Sequence, residues 1–312
     1  NLLNTKNLMV GRRVVILGSG DIGLIMARRL TLEGATVLCV AEARPVPGGL
    51  ERNVSQCLYD FGIPLYLSTT VTQIFGPKRV EGVELCQVDA QGQPMPETAR
   101  RVDCDTLLLS VGLIPENEVG SKAGMAVDPA TNGAVTDGFL QTNLPGVFAC
   151  GNSRKVMDLA DFVTRQGDAA GGNAARFVLG LPLEKMPPEQ ANAMAKGLPQ
   201  PGTITCIRCP KGCRVMLGAD GKTEGNACPK GEEYALQEAK APKRVLTTTL
   251  KNAAGKLVPV KTSAGVPKET LLRCMDVVRG LPPIPEGLHC GKVAVSDPFG
   301  LGIDLVVTGD QS

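Results

Sequence analysis

The chain has 312 residues, of which 43% are apolar and 21% charged, a composition typical of a globular protein with two or three domains. Lysine and arginine number 33 against 31 acidic residues, and only 3% of the residues are aromatic. This balance disfavours nucleic acid as a partner, because neither excess positive charge nor a set of stacking rings is present. No apolar run approaches the roughly 20 residues of a membrane helix, and the N-terminus lacks a signal-peptide pattern. We therefore expect a cytoplasmic protein without a membrane span.

The first third of the chain alternates predicted strands and helices. Short apolar runs predict buried strands, and apolar residues on one face predict helices. The predicted elements are strand 13–17, helix 22–32, strand 36–40, helix 50–61, strand 64–74, antiparallel strands 80–88 and 100–102, and strand 105–111. This order is typical of a Rossmann-like α/β domain that carries an antiparallel flap.

A glycine-rich loop joins the first predicted strand to the first predicted helix. Its residues match the pattern G-x-G-x-x-G: Gly18, Ser19, Gly20, Asp21, Ile22 and Gly23. Such a loop allows a tight turn and brings a pyrophosphate close to the N-terminus of the helix. Glu42 ends the next strand, nineteen residues after Gly23, where a carboxylate accepts from ribose hydroxyls and repels a 2′-phosphate. The sequence predicts an NAD(H) site. Arg44 could soften the preference for NAD(H) over NADP(H), and the adenosine part of FAD is the alternative ligand.

Two later segments resemble parts of the pyridine nucleotide-disulfide oxidoreductase superfamily. Residues 105–117 resemble the strand and turn that lead from the NAD domain back to the FAD domain, and residues 142–152 resemble the second FAD motif. The resemblance implies a partial FAD-binding domain in which Gly112, Gly151 and Asn152 contact FAD, with Asn152 where the family usually has aspartate. It also implies the C-terminal portion of such a protein, because the N-terminal FAD glycine motif is not in this sequence.

Four cysteines lie close together in the last third of the chain. Their spacing is C-x2-C-x3-C-x14-C, at Cys206, Cys209, Cys213 and Cys228. Iron–sulfur clusters take four cysteine ligands, whereas structural zinc more often uses two C-x2-C pairs. The spacing also resembles the [4Fe-4S] segment of molybdopterin oxidoreductases. We favour a [4Fe-4S] cluster, with zinc and redox-active thiols as the alternatives.

The segment that contains these cysteines, residues 203–312, resembles a four-cysteine domain of unknown function, DUF1667. The resemblance rests on the cysteines and on the sequence G-L-G-I-D at 300–304. It implies fusion to, or association with, flavoprotein dehydrogenases whose genes often accompany anaerobic glycerol-3-phosphate dehydrogenase. Predicted helices at 232–239 and 267–278 among short β-like runs indicate a small, cysteine-rich α+β domain.

These patterns divide the chain into five segments. They are a linker remnant at 1–10, an NAD-binding domain at 11–115, the second part of an FAD-binding domain at 116–182, a Pro-rich linker at 183–202 with a short helix at 189–195, and the cysteine domain at 203–312. No constellation of acid, base and nucleophile stands out, which agrees with a protein whose cofactors carry the chemistry.

The function predicted from these segments is electron transfer. We expect an FAD-dependent oxidoreductase that passes electrons between NAD(H), flavin, the cluster and a redox partner protein, with a glycerol-3-phosphate dehydrogenase as the leading candidate. The alternatives are a thiol or disulfide reductase and a zinc-stabilised docking module on a nucleotide-binding domain. Homo-oligomer formation is left open.

Overall fold

The computed structural model describes residues 2–157, 159–187 and 196–309, apart from the side chain of Asn4. The chain forms two compact units. The first combines Asn1–Val111 with Met194–Ser312, and the second is Gly112–Ala193. None of the described helices is long and apolar enough to cross a bilayer.

The N-terminal part of the first unit is Rossmann-like. Its elements are α1 (Leu2–Lys6), β1 (Arg13–Leu17), α2 (Asp21–Leu32), β2 (Thr36–Ala41), α3 (Glu51–Cys57), β3 (Leu65–Tyr66), β4 (Thr69–Phe75), β5 (Gly82–Gln87), β6 (Arg100–Val102) and β7 (Thr106–Leu109). Strands β3, β2, β1 and β7 form a parallel sheet in that order, and β4, β5 and β6 form an antiparallel sheet. The structure confirms the predicted α/β class and the antiparallel flap.

Strand β1 is buried on both faces, as its continuous apolar sequence predicts. Val14 and Ile16 belong to the core that includes residues of α2 and α3, whereas Val15 belongs to the core that includes residues of β5. All three side chains are fully buried. Burial of each aliphatic side chain contributes about 1.5–3 kcal/mol, so this strand fixes both layers of the α/β part.

Three predicted elements differ from the structure. The strand expected at 64–74 is divided, because Ser68 has a positive φ of 47° that separates β3 in the parallel sheet from β4 in the flap. The helix expected at 50–61 ends at Cys57 and is followed by a 3-10 turn at Tyr59–Phe61. The segment 1–10, expected to be a linker, contains helix α1, whose Leu3 reaches the core.

The described residues of the second unit form the α-helices α4 (Glu118–Lys122) and α5 (Ala160–Val178). A 3-10 turn at Gly151–Ser153 precedes α5, and a small core includes Met125 and Ala149. Helix α5 begins at Ala160, with Leu159 in an extended conformation at its N-cap. The helix expected at 189–195 lies outside the described residues.

The C-terminal part of the first unit is α+β, as predicted. Its elements are β8 (Ile204–Thr205), β9 (Arg214–Leu217), β10 (Thr223–Glu224), α6 (Pro229–Lys240), β11 (Lys243–Arg244), β12 (Thr247–Lys251), β13 (Leu257–Thr262), β14 (Val266–Pro267), α7 (Leu271–Gly280), β15 (Val293–Val295) and β16 (Leu305–Val307). Strands β12, β13, β16 and β15 form one antiparallel sheet, and β10, β9 and β8 form a smaller one. Leu32 of α2 packs in the same core as β13 and α7, so the two parts of this unit share a hydrophobic interior.

A buried ionic network also joins the two parts of the first unit. The Arg244 side chain is 7% exposed and lies 2.6 Å from both Asp60 and Glu238. The Asp60 side chain is 6% exposed, and Lys268 lies 3.3 Å from it. Because Asp60 follows α3 while Glu238 lies in α6, one guanidinium neutralises carboxylates from both parts.

Replacing Arg244 by alanine is expected to destabilise the chain strongly. The change removes the cation nearest to two largely buried carboxylates, and loss of one partner of a buried ion pair costs about 3–5 kcal/mol. Since Lys268 remains near Asp60, we expect a decrease in the free energy of unfolding of about 3 kcal/mol, measured by urea denaturation. The exposed pair of Arg101 and Asp103 provides the control, and Arg101→Ala should cost less than about 1 kcal/mol. Equal losses in the two variants would show that the buried network adds no more stability than an exposed ion pair.

Candidate dinucleotide and cysteine sites

The glycine-rich loop has the geometry that the sequence predicts. It leaves β1 at Leu17, and α2 begins at Asp21. Gly18 has a positive φ of 97° and lies against the backbone of Ser110, so a side chain there has no room. A Cβ on Gly23 would lie 2.8 Å from the carbonyl oxygen of Gly18, so this glycine lets the helix approach the loop. The nearest atom to a Cβ on Gly20 would be 3.6 Å away, so packing alone does not require glycine there.

The N-terminus of α2 provides a place for an anion. The first intrahelical hydrogen bond runs from the Leu24 N–H to the Gly20 carbonyl oxygen, at 3.1 Å. The amides before Leu24 therefore have no intrahelical acceptor and carry the positive end of the helix dipole. Ile22 in this first turn is 71% exposed, so the turn is open to solvent. This arrangement can hold a pyrophosphate.

Glu42 lies beside the loop, and both of its carboxylate oxygens already accept hydrogen bonds. Oε2 accepts from the backbone N–H and hydroxyl of Ser19, at 3.0 and 2.5 Å. Oε1 accepts from the backbone N–H and Nε of Arg44, at 3.0 and 3.1 Å. Burial by itself raises the pKa of Glu42, but the hydrogen bonds from Ser19 and Arg44 outweigh it and hold the pKa below its ordinary value. Since a carboxylate has about four lone-pair positions, ribose hydroxyls must displace one of these donors.

A segment that sequence reasoning missed supports the loop from the other side. The Gly48 N–H donates to the Ser19 hydroxyl at 2.8 Å, and the Gly49 N–H donates to the Ser19 carbonyl oxygen at 2.8 Å. The Leu50 N–H donates to Asp21 Oδ1 at 2.7 Å. The consecutive glycines at 48 and 49 are the signal that could have indicated a close backbone approach.

The cysteine turn is closed by backbone pairing. Strands β8 and β9 pair just outside it, and the Cys206 N–H donates to the Cys213 carbonyl oxygen at 2.8 Å. Cys206 is buried, Cys213 is half-buried, and Cys209 and Cys228 are exposed. Cys228 stands at the N-cap of α6, where Pro229 begins the helix. The helix dipole therefore favours negative charge beside Cys228.

The four predicted ligands lie near one another. Burial raises the pKa of the Cys206 thiol, the neighbouring Cys213, Cys209 and Cys228 raise it further, and a hydrogen bond from the backbone of Arg208 opposes them. Within the described ranges, no group of three or more His, Cys, Asp or Glu side chains has an arrangement that could hold a metal ion. The structure thus brings four thiols into one region without closing them into a ligand set. A donor set of four thiols fits an iron–sulfur cluster and also zinc.

The expected flavin contacts lie in the second unit. Gly112 has a positive φ of 105°, and nothing lies within 4 Å of a Cβ built on it. Gly151 is buried, and its N–H donates to Gln166 Oε1 of α5 at 2.9 Å. Asn152 is exposed and accepts from the Met157 N–H at 3.2 Å. Its amide nitrogen remains a donor that could face a ligand.

Two family models match the chain. Residues 2–167, over half of the chain, match the model for pyridine nucleotide-disulphide oxidoreductase. The chain therefore belongs to this family of FAD- and NAD-dependent oxidoreductases. Residues 229–309 match the model for a protein of unknown function (DUF1667). This confirms the predicted fusion, but the second match begins directly after Cys228, so the four cysteines lie outside it.

Two curated relatives each match about half of the chain. An NADH oxidase from Methanocaldococcus jannaschii is 30% identical over 179 residues, which are 53% of this chain and 37% of that protein. A nitric oxide reductase FlRd-NAD(+) reductase from Salmonella arizonae is 25% identical over 154 residues, 48% of this chain and 37% of that protein. The chain spans little more than a third of the length of these two relatives. The crystal structure of Lactococcus lactis thioredoxin reductase aligns with a TM-score of 0.48 at 22% identity, covering 55% of this chain and 54% of that one.

Replacing Arg44 by alanine is expected to strengthen NADH binding. The Arg44 side chain is 61% exposed, so it is the donor on Glu42 that a ribose hydroxyl displaces most easily. Removal of one competing hydrogen bond is expected to tighten the NADH Kd by about 2- to 10-fold. NADPH binding should weaken, because the cation nearest to Glu42 is lost. Fluorescence titration measures both constants, with Arg101→Ala as a control; weaker NADH binding by Arg44→Ala would refute the displacement.

Proposed function

We propose that this chain is the NAD(H)-binding and electron-transferring part of a flavin-dependent oxidoreductase. NAD(H) binds at the loop 18–23 and Glu42, and four cysteines hold a [4Fe-4S] cluster. The observation that carries the proposal is the strand–loop–helix geometry at Gly18 and Gly23, in a compact unit that also contains the four thiols. Family membership supports the use of flavin and nicotinamide.

The residues of the nucleotide site bind and orient, and none of them needs to exchange a proton. Amides at the start of α2 would hold the pyrophosphate, and Glu42, whose pKa is lowered, would stay charged and accept from the ribose. When bound, flavin converts hydride transfer into single-electron transfer and an iron–sulfur cluster relays single electrons. Gly112, Gly151 and Asn152 are the residues through which the second unit would contact the flavin.

The surroundings of the cysteines support an anionic cluster. Cys228 stands at the N-terminus of the 12-residue helix α6. Lys211 and Lys230, which follow Cys209 and Cys228 by two residues, are both exposed. Helix dipole and cations would offset the negative charge of thiolates. We assign Cys206, Cys209, Cys213 and Cys228 as the ligands.

The proposed division of the chain follows from these sites. Residues 11–115 would bind NAD(H), residues 116–182 would complete an FAD-binding domain, residues 183–202 would be a linker, and residues 203–312 would be the cysteine domain. Electrons would pass to or from another redox protein in the cytoplasm, with a glycerol-3-phosphate dehydrogenase as the candidate. A relative named as an FlRd-NAD(+) reductase supports a protein partner of some kind.

The first test is the metal content of the anaerobically purified chain. We expect broad visible absorption together with about four irons and matching sulfide per chain. A colourless protein with one zinc per chain would indicate a structural role for the cysteines and would exclude electron transfer through them. No metal, with two thiols lost on oxidation and regained with NADH, would favour a thiol reductase.

Replacing Cys228 by alanine is expected to remove the metal. Cys228 makes no side-chain cap bond at α6, so its loss should leave the helix intact. The matched control is Cys274→Ala, since Cys274 is buried in the core with α7 and lies outside the turn. Iron, sulfide and zinc analysis of both proteins decides the outcome. Full metal retention by Cys228→Ala would exclude Cys228 as a ligand.

A further inference from the structure

Glu51, the first residue of α3, is a fully buried carboxylate between the cysteine turn and the dinucleotide loop. Its Oε1 accepts from the Thr205 hydroxyl at 2.8 Å. Its Oε2 accepts from Arg214 Nε at 2.7 Å, and Arg214 Nη2 lies 2.6 Å from the same oxygen. These partners stand 154 and 163 residues away along the chain.

The two partners of Glu51 border the cysteine turn directly. Thr205 precedes Cys206, and Arg214 follows Cys213. Thr205 and Arg214 also pair with each other across β8 and β9. Glu51 therefore contacts the two residues from which the cysteine turn starts and to which it returns.

On its other side, Glu51 continues the segment that supports the dinucleotide loop. Leu50 donates its N–H to Asp21 Oδ1 at 2.7 Å, and Asn53 donates to the same oxygen at 2.8 Å. A Cβ on Gly49 would lie 2.7 Å from that oxygen and 3.0 Å from the Asp21 N. Such tight packing means that the start of α3 cannot shift without moving the start of α2.

We propose that Glu51 is a positioning residue that couples the cysteine site to the dinucleotide site. This inference rests on the proposed function of the two sites. Binding of a metal by the four thiols fixes both ends of the turn, and with them Thr205 and Arg214. A buried carboxylate must keep its partners, because loss of one leaves an uncompensated charge. Glu51 therefore holds residues 48–50, and through them the dinucleotide loop, in one arrangement.

The sign of the coupling follows from this arrangement. Metal binding orders residues 48–50, which support the loop, before the dinucleotide arrives. The entropy that is lost when NADH binds is then smaller. Metal in the cysteine site should therefore tighten NADH binding. Thermodynamic reciprocity requires NADH to tighten metal binding by the same factor.

The test is titration of the full chain with NADH, with and without zinc ion. Zn²⁺ serves as the probe because it binds thiolates and has no redox chemistry. We expect Zn²⁺ to lower the NADH Kd of the reduced, metal-free chain by at least about 5-fold, the lower end of common couplings. In Glu51→Gln the ratio of the two Kd values should fall to near one, while each ligand still binds.

Two further variants separate coupling from stability. Thr205→Val removes the other hydrogen bond to Glu51 and should reduce the ratio without introducing a buried charge. Asp60→Asn weakens the other ionic contact between the two parts of the unit, away from Glu51, and should keep the wild-type ratio. Equal loss of coupling in Asp60→Asn and Glu51→Gln would assign the effect to general loosening and overturn the role of Glu51.

The titrations separate failure of the coupling from failure of the two proposed binding sites. If NADH and Zn²⁺ both bind but neither affects the other, the coupling is refuted and the proposed function stands. If Glu51→Gln retains the wild-type ratio, the coupling exists but does not pass through Glu51. If the chain binds no NADH, or if Cys228→Ala binds Zn²⁺ as the wild type does, the proposed sites and the inference both fail.

Discussion

Buried carboxylates that accept from arginines of the C-terminal part are the constraint on which the first unit depends. Asp60 binds Arg244 in a network with Glu238, and Glu51 binds Arg214. Each contact satisfies a charge that would otherwise be buried alone, at a cost of several kcal/mol. The C-terminal part therefore cannot leave the α/β part without breaking these ion pairs. Leu32, which packs in the same core as β13 and α7, adds an apolar contact between the two parts.

This constraint determines where the cysteines lie. Residues 205 and 214 bracket the turn and are fixed on α3, so the turn is held beside the segment that supports Ser19 and Asp21. The nucleotide loop and the cysteine turn are separated in sequence by more than half of the chain, yet belong to one compact unit. The proposed electron transfer needs such fixed placement, because cofactors supply the chemistry and the protein supplies their positions.

Local patterns were predictable from the sequence. The glycine-rich loop could be predicted because its turn needs glycine. A Cβ on Gly18 or Gly23 would lie too close to neighbouring backbone atoms. The apolar run of β1 likewise indicates a strand that is buried on both faces. The division between β3 and β4 was missed, since the β-branched residues at 69–71 continue the strand pattern after Ser68 while the two strands join different sheets.

Long-range polar contacts were beyond the reach of sequence reasoning. Nothing local to Glu51 or Asp60 distinguishes them from solvated helix residues, and their partners lie 163 and 184 residues away. The saturation of Glu42 by Ser19 and Arg44 was also missed, because the pattern predicts a carboxylate position but not its partners. The cysteine spacing predicted that the thiols come together, and the geometry of a ligand set depends on side-chain positions that spacing does not fix.

We expect the α/β part and the C-terminal part of the first unit to open together. Native-state hydrogen exchange at increasing denaturant tests it most directly, by comparing the amides of β1 and β2 with those of β12 and β13. Both sets of amides should show one shared opening free energy and one shared dependence on denaturant. A C-terminal sheet that opens at a clearly lower free energy, while β1 and β2 stay protected, would contradict it.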